Sequence, residues 1–198
     1  ILTPSQVQDF KLGKIGDKEV KAPPKTIEGL LDTEETESIA PPEILNQVFS
    51  IFSKGNGLLP NGRKLSKQHY EYLKTERKLN DDDIERVGYF TMPSRTPNFI
   101  RAFLKELRVF DLDEEVLNEV PGFFDLVTDE AEVKKTFVGH RGIGIPIRDK
   151  EKRIVGIQIR RDHVEDKGAR YVWFSSTFAN KEERKDMKNG TGSRSPIH

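Results

Sequence analysis

The sequence predicts an α+β fold, a helical amino-terminal half followed by a small antiparallel β-sheet. Two observations carry that expectation. From Pro41 to Val120 apolar residues recur at helical spacing behind clear capping residues. From Arg141 to Ser176 the pattern changes to short alternating runs joined by polar loops.

Residues 1–40 carry scattered apolar positions, the Pro23-Pro24 pair and the acidic run Asp32 to Glu37. They read as a linker with one short helix over Thr26 to Asp32. Pro42 can open a helix, because its fixed φ suits the first helical turn, and Ile44, Leu45, Val48, Phe49 and Phe52 form its apolar stripe before Gly55. A Gly/Asn/Pro loop follows from Lys54 to Lys64. Ser66 is an N-cap for a helix over Lys67 to Glu76 with Tyr70 and Leu73 inward. Asn80 or Asp81 caps the next helix, Asp82 to Val87, whose acidic start complements the helix dipole. Thr96-Pro97 opens a helix to Leu107 with Phe99, Ile100, Phe103, Leu104 and Leu107 apolar, and a short helix spans Asp113 to Val120.

After the turn at Pro121-Gly122, Phe123-Phe124 and Val133 to Val138 read as extended. Three strands follow: Gly142 to Arg148, Ile154 to Arg161 and Arg170 to Phe174. The loop Asp149 to Lys152 is short enough to make the first two a hairpin, with Asp149 as turn former. Alternation sets Ile143, Ile145 and Ile147 opposite to Arg148 in the first strand. In the second it sets Val155, Ile157 and Ile159 opposite to Gln158 and Arg160. The expectation is one buried apolar face and one face presenting guanidinium groups. A charged helical run, Asn180 to Lys188, precedes a glycine-serine loop. The domain plan is a linker over 1–40 and one domain over 41–198, comprising a helical part to 120, a sheet part over 121–178 and a charged tail over 179–198. The opening on Ile1 and the end at His198 both read as cuts in a longer polypeptide.

With 34% hydrophobic and 33% charged residues among 198, the core is modest. No run approaches the length of a membrane span, and no signal region opens the chain, so the expectation is a cytoplasmic protein with no membrane partner. The absence of cysteine excludes disulfides and thiolate metal sites. Zero net charge conceals an asymmetry: residues 141–198 hold 14 Lys and Arg against 8 Asp and Glu, which leaves 19 against 25 upstream. A basic carboxy-terminal part suits an anionic partner, nucleic acid included.

His69, His140, His163 and His198 have no metal-ligand spacing, and the chain has no GxSxG, Walker A or GxGxxG motif. Acidic clusters such as Asp81-Asp82-Asp83 are explained by capping. No catalytic residue and no metal ligand is therefore assigned. The arginines Arg141, Arg148, Arg160, Arg161 and Arg170 lie at strand ends or on the polar strand face, where a rigid sheet can hold their forks toward phosphate oxygens. Tyr171 or Trp173 could stack on an unpaired base, and Ser175, Ser176 and the Thr191-Gly192-Ser193 turn could donate to phosphates. The same residues also read structurally, with Trp173 and Phe174 in the core and the arginines paired to Asp149, Asp162 and the helical acids. At this level both readings stand.

The stretch RGIGIPIRDKEKRIVGIQIRRD…ARYVWFSS resembles the amino-terminal subdomain of the catalytic core of bacterial DnaG-type primases. The matching positions are Arg141-Gly142, Pro146-Ile147-Arg148-Asp149, Arg153-Ile154-Val155-Gly156 and Arg170-Tyr171 through Ser175-Ser176. Upstream, Tyr72-Leu73, Arg77-Lys78-Leu79 and Gly88-Tyr89 resemble the family's small helical segment, with Lys78 where a glycine is usual. Pro121-Gly122-Phe123-Phe124 and Gly190 to Ser193 resemble more closely the primase-like replication proteins of plasmids, phages and mobile elements. The resemblance covers about residues 66–198. It implies a template-binding subdomain of a DNA primase, a nucleotidyltransferase, with single-stranded DNA as partner and a replicative helicase as a further one. It also implies that a Toprim-like domain holding Mg2+ or Mn2+ lies beyond residue 198, so that this part is inactive alone. Arg141, Arg148, Arg160 and Arg170 become candidates for template or nucleotide-phosphate contacts. The alternative is a protein-interaction module whose acidic helical half docks a helicase or polymerase.

Overall fold

The computed structural model describes residues 38–164 and 168–193; the helix expected over Thr26 to Asp32 lies outside them. Helix α1 (Pro42–Phe52) starts on its proline and turns Leu45, Val48, Phe49, Ile51 and Phe52 inward. Helices α2 (Lys67–Thr75), α3 (Asp81–Val87) and α4 (Pro97–Val109) begin at the side-chain caps Ser66, Asn80 and Thr96, which accept from the amides of His69, Asp83 and Phe99. Between α3 and α4 lies the short strand β1 (Phe90–Thr91). The stretch after α4 is a 3-10 turn, Glu114–Glu119, and not an α-helix. Strands β2 (Phe123–Val127), β3 (Val133–Phe137), β4 (Gly142–Arg148), β5 (Ile154–Arg161), β6 (Tyr171–Trp173) and β7 (Met187–Lys188) complete the fold.

The strands form two antiparallel sheets, one of order β1-β4-β5-β6 and one of order β3-β2-β7. The fold class is thus α+β, as the sequence predicts. The helical run expected over Asn180 to Lys188 is absent. A 3-10 turn over Thr177–Asn180 leads instead into β7, which pairs with β2. The charge run there has no apolar stripe to bury, so pairing with β2 decides its conformation.

One aromatic cluster holds α1, α4 and both sheets together. The ring of Phe52 lies 5.0–6.1 Å from those of Phe90, Phe99, Phe103, Phe123, Phe137 and Phe174, edge-on to all but Phe174, on which it stacks. Phe90 reaches this cluster because its cross-strand partner is Gly144, where a Cβ would stand 2.3 Å from the Phe90 ring. In the second sheet Asp125 and Lys135 face each other across β2 and β3 as a buried ion pair at 2.8 Å, and Asn189 donates to the other Asp125 oxygen at 2.7 Å.

The register of β4 on β5 overturns the expected arrangement of faces. Gly144 and Pro146 stand opposite Ile159 and Ile157, on the face that packs on the main core. Ile143, Ile145 and Ile147 stand opposite Arg160, Gln158 and Gly156, on the other face. The two isoleucine sets therefore point to opposite sides, and the arginine face is also apolar. A bulge at Val155 then shifts the register, so that Ile154 pairs with Arg148 and is buried in the main core, its amide donating to Asn46 Oδ1 at 2.8 Å. Helices α2 and α3 cover part of the second face: Leu73 and Ile84 bury against Ile143 in a small separate cluster. The inward side of α2 is His69, Tyr72 and Leu73, whereas Tyr70 is exposed and donates to Asp81 at 2.6 Å.

In the turn after α2, Lys78 stands at φ 57°, and the Leu79 amide donates back to the Leu73 carbonyl at 3.0 Å. That bond closes the chain around a left-handed residue, a conformation that favours glycine. Lys78→Gly should therefore stabilise the domain, by up to about 1 kcal/mol after the extra chain entropy of glycine is offset. Urea unfolding would check it; a lower midpoint for the variant would contradict a left-handed strain at Lys78.

Candidate nucleic-acid interface

The second face of the first sheet builds a site because one cross-strand row runs over all four strands. Thr91, Ile143, Arg160 and Tyr171 stand side by side in register. Helix α2 lies across this row with His69 on Thr91, Leu73 packed with Ile143, and Tyr72 against Arg160. These three helix residues fall at spacings i, i+3 and i+4, the periodicity of one helical face.

At the end of this row, where β4 begins and β5 ends, lies a cleft of about 330 Å³ lined by Gln68, His69, Tyr72, Arg141, Arg160, Asp162 and His163. The hairpin closes its floor, since the Asp162 amide donates to the Arg141 carbonyl at 3.2 Å. The Arg160 guanidinium stands 3.8 Å over the Tyr72 ring, a cation–π contact that fixes its plane. Its Nε is buried without a hydrogen-bond partner among the described residues.

The His69 ring is buried and has both nitrogens engaged. Nδ1 meets Thr91 Oγ1 at 2.8 Å, and Nε2 meets Asp162 Oδ1 at 3.0 Å. Thr91 Oγ1 also accepts from the Ser66 amide at 2.8 Å, so its proton is free to go to Nδ1, which places the neutral ring's N–H on Nε2 toward Asp162. With neither nitrogen open to the cleft, His69 cannot act as a general base there. It is a clamp that aims the Asp162 carboxylate.

The carboxylate partners settle which arginines are free. Asp149 accepts from Arg153 Nε at 2.7 Å and from its amide at 2.9 Å, and Asp162 goes to His69. Burial works to raise the Asp149 pKa, but the bonds from Arg153 outweigh it, so the carboxyl titrates below its ordinary value. Arg141, Arg148, Arg160, Arg161 and Arg170 make no ion pair among the described residues.

These five do not form one patch. Arg141 and Arg160 share the cleft. Arg148 lies at the opposite end of β4, about 20 Å away at roughly 3.3 Å per residue, and donates to the Lys152 carbonyl at 3.0 Å. There it neighbours Lys64, whose ammonium is pushed below its ordinary pKa by burial and then by the Arg148 charge. Arg161 points to the other face of the sheet and donates to the Ala169 carbonyl at 3.3 Å. Arg170 is exposed, its carbonyl receiving the Arg161 amide at 2.9 Å.

Three other expected contacts are placed differently. Ser176 is fully buried, its hydroxyl donating to the Phe123 carbonyl at 2.6 Å and accepting from the Thr191 amide at 2.9 Å, so it is a structural linchpin and no phosphate ligand. Ser175 Oγ receives the Ser193 amide at 3.4 Å. Trp173 shares the Arg160 face but lies one row along, its ring 3.5 Å from where a Gly156 Cβ would stand. The aromatic beside the basic group is Tyr72, with Tyr171 next to Arg160 on β6. Tyr72, His69 and Asp162 escaped the sequence reading as site residues. The helical spacing of His69 with Tyr72 and Leu73 was the available signal.

Among the described residues no three His, Cys, Asp or Glu side chains converge so as to hold a metal ion, and no helix is long and apolar enough to cross a membrane.

No protein-family model matches the chain, and no curated protein does. Parts of solved structures are similar to it. The RNA polymerase domain of Mycobacterium tuberculosis primase DnaG, in complex with a double-stranded DNA oligomer with a 6-nucleotide overhang, is 18% identical with a TM-score of 0.46, over 69% of this chain and 39% of that one. The Aquifex aeolicus primase zinc-binding and RNA polymerase domains are 23% identical with a TM-score of 0.42, over 67% and 28%. A DnaG primase catalytic domain bound to ssDNA is 18% identical with a TM-score of 0.44, over 66% and 38%. The chain thus spans under half the length of each of these three structures.

At the margin of the site, burial and then the positive charge of Arg161 hold the His140 imidazole below its ordinary value of 6.5. The unfolded chain takes up this proton first, so the stability His140 contributes is complete above about pH 6.5 and lost as pH falls through the folded value. His140→Gln should flatten the decline in urea midpoint between about pH 7 and 5. An unchanged pH slope would show that His140 is not the group responsible.

Proposed function

We propose that this chain binds single-stranded DNA through the cleft at the end of the β4–β5 hairpin, as the template-facing subdomain of a primase-like replication protein. The observation that supports this best is the convergence of Arg141 and Arg160 on one cleft, unpaired with carboxylates among the described residues and with Tyr72 against the second guanidinium. An unpaired strand offers phosphates and flat bases. Guanidinium forks suit the first, and the open side of a stacked Arg–Tyr pair suits the second. The motif order that resembles the DnaG-type core supports the same reading, since Arg141 and Arg160 fall within its matched segment. Metal chemistry would belong to a Toprim-like domain beyond residue 198, and this part would be inactive alone.

Titrating a fluorescent oligonucleotide at several salt concentrations tests the reading. Affinity should fall with salt, and Arg141→Ala or Arg160→Ala should each weaken binding and flatten the logarithmic salt slope by about 0.7 to 1. Arg148→Ala, at the far end of β4, should have the smaller effect. No binding at low salt, or binding indifferent to Arg141 and Arg160, would overturn it.

A second reading, docking of a helicase or polymerase by the helical half, has one observation in its favour. Val109 and Phe110 end α4 with 70% and 51% of their surface exposed. Val109→Glu with Phe110→Glu should then abolish association with a purified replicative helicase while DNA affinity is kept; unchanged association would exclude this surface.

A further inference from the structure

The cleft contains a feature that phosphate binding does not call for. A carboxylate, Asp162, lines the same cavity as Arg141 and Arg160. It is not neutralising an arginine, because Oδ1 is held by His69 and Oδ2 has no hydrogen-bond partner among the described residues. A bare phosphate in this cavity would meet the Asp162 charge at a cost. A ligand that carries hydrogen-bond donors beside its phosphate would use that charge.

We infer that Asp162 is a specificity-determining residue that reads the edge of an unpaired base, so that the cleft prefers bases bearing an exocyclic amino group over thymine. This rests on the single-stranded DNA reading of the same cleft and goes beyond it by naming the base class selected. A base stacked on the Arg160 guanidinium, which itself lies on Tyr72, would sit within the cleft that Asp162 also lines, with its edge in reach of the cleft wall. Asp162 and His163 form that wall, directly after β5. A carboxylate accepts from the amino group of cytosine, and likewise from adenine or guanine. Thymine places a carbonyl oxygen where cytosine has its amino group, so two acceptors would face each other.

His69 is the positioning residue in this scheme. Its ring is anchored on the buried side by Thr91, which is anchored in turn by the Ser66 amide. The Nε2–H bond to Oδ1 leaves the second carboxylate oxygen as the acceptor available to a ligand. The geometry therefore delivers one acceptor at a set place, which is what discrimination at a single base edge needs.

The test compares deoxycytidine and deoxythymidine decamers of equal length, which match in ring size and backbone charge, at neutral pH and fixed salt. The unaltered protein should bind the cytosine decamer about ten-fold more tightly, the scale of one hydrogen bond to a charged group. Asp162→Asn is nearly isosteric and keeps an acceptor for His69, and its amide can donate to the thymine oxygen. It should bring the two affinities to parity or reverse their order, with an unchanged thermal unfolding midpoint showing that the fold is intact. His69→Gln should also reduce the ratio while leaving the salt slope unchanged. Equal binding of both decamers by the unaltered protein, or a preference that survives Asp162→Asn, would overturn the inference and leave the DNA-binding reading in place. Failure of both decamers to bind at low salt would overturn both.

Discussion

The Phe52 ring is the contact on which the rest of this domain depends. It projects from the last turn of α1 into a space bounded by rings from β1, α4, β2, β3 and the end of β6, and it touches a ring from each. Edge-to-face geometry at most of these contacts lets one flat side chain meet several elements from different directions, which an aliphatic side chain of similar volume would not do. Two small sheets and a few short helices have little area to bury individually. A shared aromatic centre lets them form one cooperative unit despite the modest apolar content of the chain.

With that core filling one side of the first sheet, the register of β4 on β5 decides what the other side presents. Gly144 and Pro146 occupy the core side, which leaves three isoleucines beside Gln158 and Arg160. An apolar row cannot be left to solvent, and α2 and α3 pack onto it. The cleft is a consequence of this covering. The helix brings Gln68, His69 and Tyr72 over the strand ends that carry Arg141, Arg160 and Asp162, and the charged groups collect where the helix stops protecting the sheet.

Much of the scaffold was legible in the sequence because its signals are local. Ser66, Asn80 and Thr96 cap the helices they precede, and Asp149 shapes the hairpin turn together with Arg153. Where a segment's structure depends on a distant partner, local reading failed. The charged run over residues 180–188 has helical composition, yet its last residues pair with β2, some sixty positions earlier in the chain. Ser176 looks like a surface turn donor, but its hydroxyl is committed to Phe123 and Thr191 in the interior.

The chain's own sequence determined the α+β class, the positions of the caps and turns, and the arginines that a sheet would hold at its ends, since each follows from neighbours a few residues away. Tertiary structure decided which of those arginines lie together. It separated Arg148 and Arg161 from the cleft, joined Arg141 and Arg160 there, and supplied Tyr72 and the His69–Asp162 clamp across 93 positions of sequence. The physical reason is the period of a strand. A shift of one residue in pairing moves every side chain to the opposite face, and the pairing is set by long-range burial, to which alternation within a single strand is blind.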